Sequence, residues 1–336
     1  MKTTEGTSTP PQACTLQPGK RRSITQLTAV CLATQVLMGI ARAGENVPHA
    51  PFAQWAEVLE PGQFVGGVFA GESEAYHIWA GSTYHNVTVK SVGESYGIDT
   101  SQGYFTLQYG IATNWTADLA IGGATVGWRY FANGSPSGTV QSTTGIMDVA
   151  LGVRYQILKE DRAESPWRPT LTLRAGGVLP GSYDKEFPFA PGTRSAAIEG
   201  ELLLRKHCGW TGLGIYGDAL LRWNKTTHND QYIASAGLFQ QIQHWELQAG
   251  FRHLGTFTGE DIILYPDQTI YYPRSLRENN DSLEFGVNYT TPKKHIQIGI
   301  YGQDVLAGSN TDGRFWLGAY LNVPLGHTKP IDFSRF

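Results

Sequence analysis

From residue 147 to 158 the chain alternates without a break. Met147, Val149, Leu151, Val153, Tyr155 and Ile157 are apolar or aromatic, with Asp148, Ala150, Gly152, Arg154 and Gln156 between them. A period of two belongs to a β-strand with one apolar face. The dyad recurs in 167–179, where Leu171, Leu173, Ala175 and Leu179 oppose Arg168, Thr170, Thr172 and Arg174. In 196–205, Ile198, Leu202 and Leu204 oppose Glu199, Glu201 and Arg205; in 283–289, Leu283, Phe285, Val287 and Tyr289 oppose Glu284, Gly286 and Asn288. In 296–301, Ile296, Ile298 and Ile300 oppose Gln297, Gly299 and Tyr301. The pattern predicts twelve strands, the first six near 63–79, 102–112, 116–131, 144–158, 167–180 and 194–206. The second six fall near 211–223, 230–242, 245–255, 281–290, 294–305 and 313–324. Segment 116–131 loses its phase around Gly122-Gly123, which predicts a bulge there.

The connections differ in length. Those at 113–115, 207–210, 243–244 and 291–293 are short, whereas 80–101, 132–143, 181–193 and 256–280 are long. Two fit the scheme poorly: 159–166 is long for a turn and 224–229 is short for an outer loop. Trp115, Trp167, Trp210 and Trp245 stand beside short turns, while Tyr130, Trp223 and Tyr232 fall toward the other end. Short inner turns, long outer loops and two aromatic girdles are the marks of an outer-membrane barrel. A secreted sandwich with apolar residues inside would also alternate. The even strand number, the girdles and the loop asymmetry favour the barrel, its apolar set turned to lipid. A one-residue slip of 147–158 would put Arg154 in lipid at roughly 2–4 kcal/mol, which fixes the register. The class expected is all-β: a transmembrane antiparallel barrel of about twelve strands over 63–325, with both termini in the periplasm.

The N-terminus agrees. Lys20, Arg21 and Arg22 precede a mostly apolar run from Leu27 to Ile40, and Ala41-Arg42-Ala43 is a small-x-small cleavage site. This reads as a signal peptide over 1–43; a membrane anchor is the bland alternative, but the run is short for a spanning helix. Cleavage would remove Cys14 and Cys31 and leave Cys208, so no intramolecular disulfide is expected. Within 44–62, "PFAQWAEVLEPG" (51–62) predicts a short helix with Phe52, Trp55, Val58 and Leu59 on one side. It would be either a rim helix or a plug across the periplasmic mouth. Residues 326–336 form a tail in which Pro330 interrupts any strand leading to Phe336.

Net charge is -3, so neither nucleic acid nor a strongly acidic partner is indicated. The inward phase holds acids and bases in near balance: Asp148, Glu199, Glu201, Asp218, Glu246 and Glu284 against Arg154, Arg168, Arg174, Arg205, Arg222 and Arg252. Guanidinium–carboxylate pairs would stiffen such a wall and would also screen solutes. Tyr104, Tyr216, Phe239, Tyr301, Trp316 and Tyr320 share that phase; they would fill space or form a stacking track. Gly212, Gly214 and Gly217 match a dinucleotide fingerprint, but inside a strand and with no helix after it. His253 faces outward with Gly255, not a serine, two residues on, and His207-Cys208 has no companion ligands. No catalytic residue, metal or cofactor is expected.

At "LGVRYQIL", "LRAGGVLPGSY" and "GSNTDGRFWLGAYLNVPLG" the chain resembles the outer-membrane transporter family named for the meta-pathway of phenol degradation. The carrying motifs are Gly152–Tyr155, Ala175–Gly181 and the turn Gly308–Thr311. The resemblance implies a barrel tied to uptake of aromatic or other hydrophobic compounds, and supplies no catalytic residues. The function expected is an outer-membrane channel for small solutes, aromatic or hydrophobic ones among them, its partners being the lipid bilayer, the solute and the barrel-assembly machinery. A structural or surface-interaction barrel with a sealed lumen, and a lipid-modifying enzyme, are the alternatives from other classes.

Overall fold

The computed structural model describes residues 56–325, apart from 87–96, 131–138, 162–166, 185–189, 191, 193, 210–211, 226–228, 266–269, 272 and 274. The expected signal peptide, residues 51–55 of the expected helix, Trp210 and the 326–336 tail lie outside the described residues.

The strands are β1 (Phe64–Ala80), β2 (Thr83–Asn86), β3 (Ile98–Ala112), β4 (Trp115–Tyr130), β5 (Thr139–Ile146), β6 (Val149–Leu158), β7 (Thr170–Leu179) and β8 (Ala197–His207). There follow β9 (Leu213–Asn224), β10 (Gln231–Ile242), β11 (Trp245–Thr256), β12 (Ile263–Leu264), β13 (Ile270–Tyr271), β14 (Asn279–Thr290), β15 (Gln297–Ser309) and β16 (Asp312–Leu325). Neighbours pair antiparallel in the order β1, β3, β4, β6 to β11, β14, β15, β16. β16 returns to β1 from Phe64↔Leu325 to Ile78↔Asp312, so the sheet closes on itself. β2 is a hairpin extension of β1, and β12–β13 form a separate ribbon. β5 and β6 share one stave, because both pair with β4. The wall therefore has twelve antiparallel staves, as the alternation predicts.

Each dyad keeps its phase. In β6, Leu151, Val153, Tyr155 and Ile157 point out and are exposed, while Arg154 and Gln156 point in and are buried. Such an apolar exterior suits lipid. At the short-turn end it finishes in an aromatic girdle: Trp115 on Tyr155 (ring centroids 4.7 Å apart), Trp245 on Tyr289 (4.9 Å) and Phe64 on Tyr109 (4.3 Å). Trp223 and the Tyr232–Phe257 pair (5.2 Å) mark the other end. Two-residue turns close β3–β4 and β10–β11, with Asn114 and Gln243 at positive φ (66° and 57°). Positive φ at the first turn residue, as at Gln243, suits the strand twist, whereas at Asn114 it is the second residue that is left-handed and the ladder shifts by one residue at Gly110/Ala112.

Four expectations are corrected. Arg168 lies outside the wall and is exposed, because the strand begins only after Pro169, which has no N–H for the ladder. The stave expected at 144–158 is broken at Met147-Asp148, which turn inward and are buried. The described part of the expected helix, 56–62, is irregular and ends in a turn. The bulge expected in β4 at Gly122-Gly123 lies instead on the facing stave: β3 and β4 pair without a shift from Ile98↔Trp128 to Gly110↔Thr116, while the register on the other side moves from Ala120↔Ala150 to Gly123↔Ile146.

What changes at Gly122-Gly123 is the chemistry of the two faces. Leu119 and Ile121 point outward below it, whereas Ala124 and Val126 point inward above it. The inversion spreads over three neighbouring staves. The outward row Val68, Phe105 and Ile121 gives way to Glu72, Ser101 and Thr125. Inside, Ala75, Ile78, Ile98 and Val126 gather with Tyr183, Ala190 and Ile262 from two long loops into one buried apolar cluster. A wall with polar residues out and apolar residues in is that of a water-soluble barrel. On this side the barrel stands clear of lipid. On β7–β9 the apolar exterior reaches the strand tops at Leu179, Ile198 and Trp223.

Candidate functional site: the barrel lumen

Glycine in one stave and a large inward side chain in the next set the lumen's geometry. Tyr216 lies flat over Gly237 and Gly250, so that a Cβ at Gly237 would come 2.6 Å from the ring. The Phe239 ring covers Gly214, Tyr320 covers Gly299, Phe69 covers Gly318, and the Arg174 guanidinium covers Gly152. Rings laid across strand glycines bury apolar area while keeping to the wall.

Apart from Tyr216 and Phe239, the lumen aromatics described above collect on one side. Phe69 (β1) stacks between Tyr104 (β3) at 4.9 Å and Trp316 (β16) at 4.7 Å, both within 13° of parallel. Tyr301 (β15) meets Trp316 edge-on at 5.5 Å, and Tyr320 and Met147 complete the buried cluster. The indole Nε1 of Trp316 has no hydrogen-bond partner among the described residues. Both unexpected members, Phe69 and Met147, come from stretches where alternation is weak: Gly66-Gly67 blurs the phase of β1, and Met147 sits at a strand break.

Most of the charges occupy the opposite staves. Arg174 (β7) forks onto Asp118 (β4; Nη2–Oδ1 2.9 Å) and Glu199 (β8; Nη1–Oε2 2.8 Å), with Glu201 at 3.7 Å. Arg154 (β6) lies 3.4 Å from Asp118, and Arg222 (β9) bonds Glu199. Asp118 is absent from the expected set, although it alternates with the outward Leu119 and Ile121. Arg205 (β8) bonds Glu246 (β11) at 2.6 Å and lies 4.0 Å over the Phe239 ring. Glu284 (β14) accepts hydroxyl hydrogen bonds from Tyr216 (2.7 Å) and Tyr301 (2.9 Å), which joins the two sides. Arg252 donates to Ser235 (3.1 Å), close to Asp218. All of these groups are buried or nearly so.

Asp148 has another task than an ion pair in the wall. It accepts from the backbone N–H of Gly181 (2.8 Å) and Arg194 (3.1 Å) and from the Tyr183 hydroxyl (3.0 Å), which pins the β7–β8 loop over the lumen. Asn310, in the two-residue β15–β16 turn, holds the β11–β14 loop: its Oδ1 accepts from Ile262 N–H at 2.9 Å and from Gly81 N–H at 2.8 Å. Arg314, also missed, is paired with Asp312 and donates to Thr100 at 3.0 Å. Outside, His253 contacts Asp281 (2.7 Å) and the Tyr232 hydroxyl (3.2 Å) at the level of the second girdle. Among the described residues no group of three metal-ligating side chains occurs.

No protein-family model matches the chain. No curated relative matches it in sequence. Among solved structures it is similar to the COG4313 outer-membrane channel from Pseudomonas putida F1, at 16% identity over 83% of this chain and 100% of that one, with a TM-score of 0.61. It is less similar to the P. putida toluene transporter TodX (8% identity, 82% and 93% coverage, TM-score 0.40). The translocator domain of the autotransporter NalP from Neisseria meningitidis gives 13% identity, 90% and 95% coverage and a TM-score of 0.39. The first of these likenesses establishes the fold: this chain shares the barrel of an outer-membrane channel.

Proposed function

We propose that this barrel is an outer-membrane channel for small aromatic or hydrophobic solutes, reached through a signal peptide and the barrel-assembly machinery. The observation that carries the reading is the division of the lumen. The Tyr104–Phe69–Trp316–Tyr301 run covers four adjacent staves, and the guanidinium–carboxylate network covers the staves facing it. A ring sliding along the first surface trades one stacking partner for the next, each worth about 0.5–1.5 kcal/mol. The unpartnered Trp316 Nε1 offers a donor to an oxygen on the solute. The balanced opposite wall keeps strong ion selectivity low. The expected resemblance to the meta-pathway phenol family agrees with this reading. So does the likeness to the outer-membrane channel of P. putida F1.

One observation favours a sealed structural barrel: the lumen side chains are buried. Proteoliposome swelling separates the two readings. A channel admits small phenols faster than sugars of similar size, and Tyr301→Ala with Trp316→Ala narrows that difference in a folded barrel. Permeability to neither class, with the segment before β1 removed as well, establishes the sealed barrel instead.

A further inference from the structure

The lumen floor is covered by the chain's own N-terminal segment. Gly62 N–H donates to Gly110 O (2.8 Å), and Gly110 N–H donates to Gln63 O (2.9 Å), which roots the segment on the end of β3. From there it runs inside the wall. Leu59 N–H donates to Thr116 Oγ1 on β4 (2.8 Å), the Ala56 carbonyl accepts from Thr172 Oγ1 on β7, and Glu57 lies 3.6 Å from Arg205 on β8. Gly110, Thr116, Thr172 and Arg205 are all within two residues of their strand's short-turn end. Inward side chains at an open mouth would be wet, yet Thr116, Thr172 and Arg205 are 1%, 0% and 2% exposed, and Ala56 is 0%.

The attachment differs from that of a thirteenth stave. Residues 56–60 join no ladder and hold the wall by single side-chain hydroxyls and one ion pair. They can leave without breaking a barrel hydrogen bond between strands. The wall is also relieved to receive them: at Gly110 the Glu60 carbonyl occupies the space a Cβ would fill. Only glycine permits that approach.

We propose that Ala56–Glu60 is an internal stopper, and that its release from Thr116, Thr172 and Arg205 opens the channel from the short-turn side. This rests on the channel reading above. Three consequences follow from the contacts. The segment covers the route by contact with the wall, so a wall change that ejects it should open the path. Gly110→Ala does so sterically while Gly110 keeps its place opposite Thr116 in the ladder. Thr116→Val with Thr172→Val does so by removing both hydroxyl tethers.

The test uses the full chain in planar bilayers, scored beside heat-modifiable migration on gels as the measure of a folded barrel. Gly110→Ala and the double valine variant should each raise conductance several-fold over wild type, while Gly123→Ala, whose Cβ meets nothing closer than 3.5 Å, should not. A second readout is independent of transport. Ala56→Cys, in a chain whose own cysteines are replaced by serine, should react slowly with a water-soluble maleimide and quickly once Gly110→Ala is added. Unchanged conductance together with unchanged labelling in folded variants overturns the stopper alone, provided wild type conducts. Fast labelling without added conductance shows a segment that leaves without gating, and also overturns it. No conductance in any form overturns the channel reading and the stopper with it.

Discussion

Leu119 and Thr125 lie on one strand and one face, six positions apart, and the structure assigns them to different solvents. Both point outward from β4 and are exposed; Leu119 pairs with Leu107 and Leu151, and Thr125 with Ser101 and Thr144. At about 3.4 Å per residue and a tilt near 40°, the two are separated by roughly 15 Å along the membrane normal. Leu119→Arg places a charge in the hydrocarbon at a cost of about 2–4 kcal/mol. Thr125→Arg, above the inversion, costs about 0–1 kcal/mol. Since 1.4 kcal/mol is tenfold, the folded-to-unfolded ratio should fall on the order of thirty-fold to nearly a thousand-fold for the first and about fivefold at most for the second. Urea titration of the barrel refolding into lipid vesicles, followed by tryptophan fluorescence and gel mobility, measures both ratios. Equal penalties would refute the placement of lipid on this side of the wall, and a larger penalty at Thr125 would invert it.

Other outcomes follow from particular contacts. Gly299→Ala drives a Cβ into the Tyr320 ring and should destabilise the barrel by about 1–3 kcal/mol, seen as a lower midpoint in the same titration, whereas Gly123→Ala should leave it unchanged. At Glu160, beyond β6, burial raises the carboxyl, but hydrogen bonds from Lys206 and His207 outweigh it and hold it below the usual range. Its contribution is therefore complete above about 4.3 and lost as pH falls through the depressed value. The protection of the His207 amide, which donates to Glu160, should fall in that acid window in wild type, and not in Glu160→Gln. Glu57 has the opposite sign, because burial raises its carboxyl against the pull of Arg205, with Glu246 and Glu160 adding to the rise. The seated segment should thus be favoured as pH falls, so Ala56→Cys labelling, divided by the rate of a free thiol at the same pH, should slow toward acid, and should not in the Glu57→Gln background; the same trend in both would remove Glu57 from the account.

The barrel was legible in the sequence because lipid enforces a strict dyad. Where one face must be apolar, as at Leu151, Val153 and Tyr155, strand, phase and register follow together. Legibility failed where that constraint lapses. Above Gly122 the outer face meets water, so the same alternation carries opposite meanings on the two halves of β4, and reads as a slip. Phe69 lies in a glycine-rich stretch with hardly a polar residue to mark the inner face, and the loop-pinning of Asp148 depends on Tyr183 and Arg194, distant in sequence. Most of the charged wall, by contrast, follows from phase alone; Arg168 is excluded from the ladder by a proline, and Asp118 and the Arg314–Asp312 pair were missed.

The inversion on β1, β3 and β4 also works as a depth gauge. Lowering the barrel by one dyad would carry Glu72 and Ser101 toward hydrocarbon, and raising it would put Val68, Phe105 and Ile121 into water. Because the mark is cut into one side, while β7–β9 stay apolar to their tops, it sets tilt as well as height. A uniformly greasy cylinder adjusts to a thicker or thinner bilayer by sinking or leaning at a small cost per ångström. This one is denied both adjustments, and the lipid around its tall side must bend to meet it.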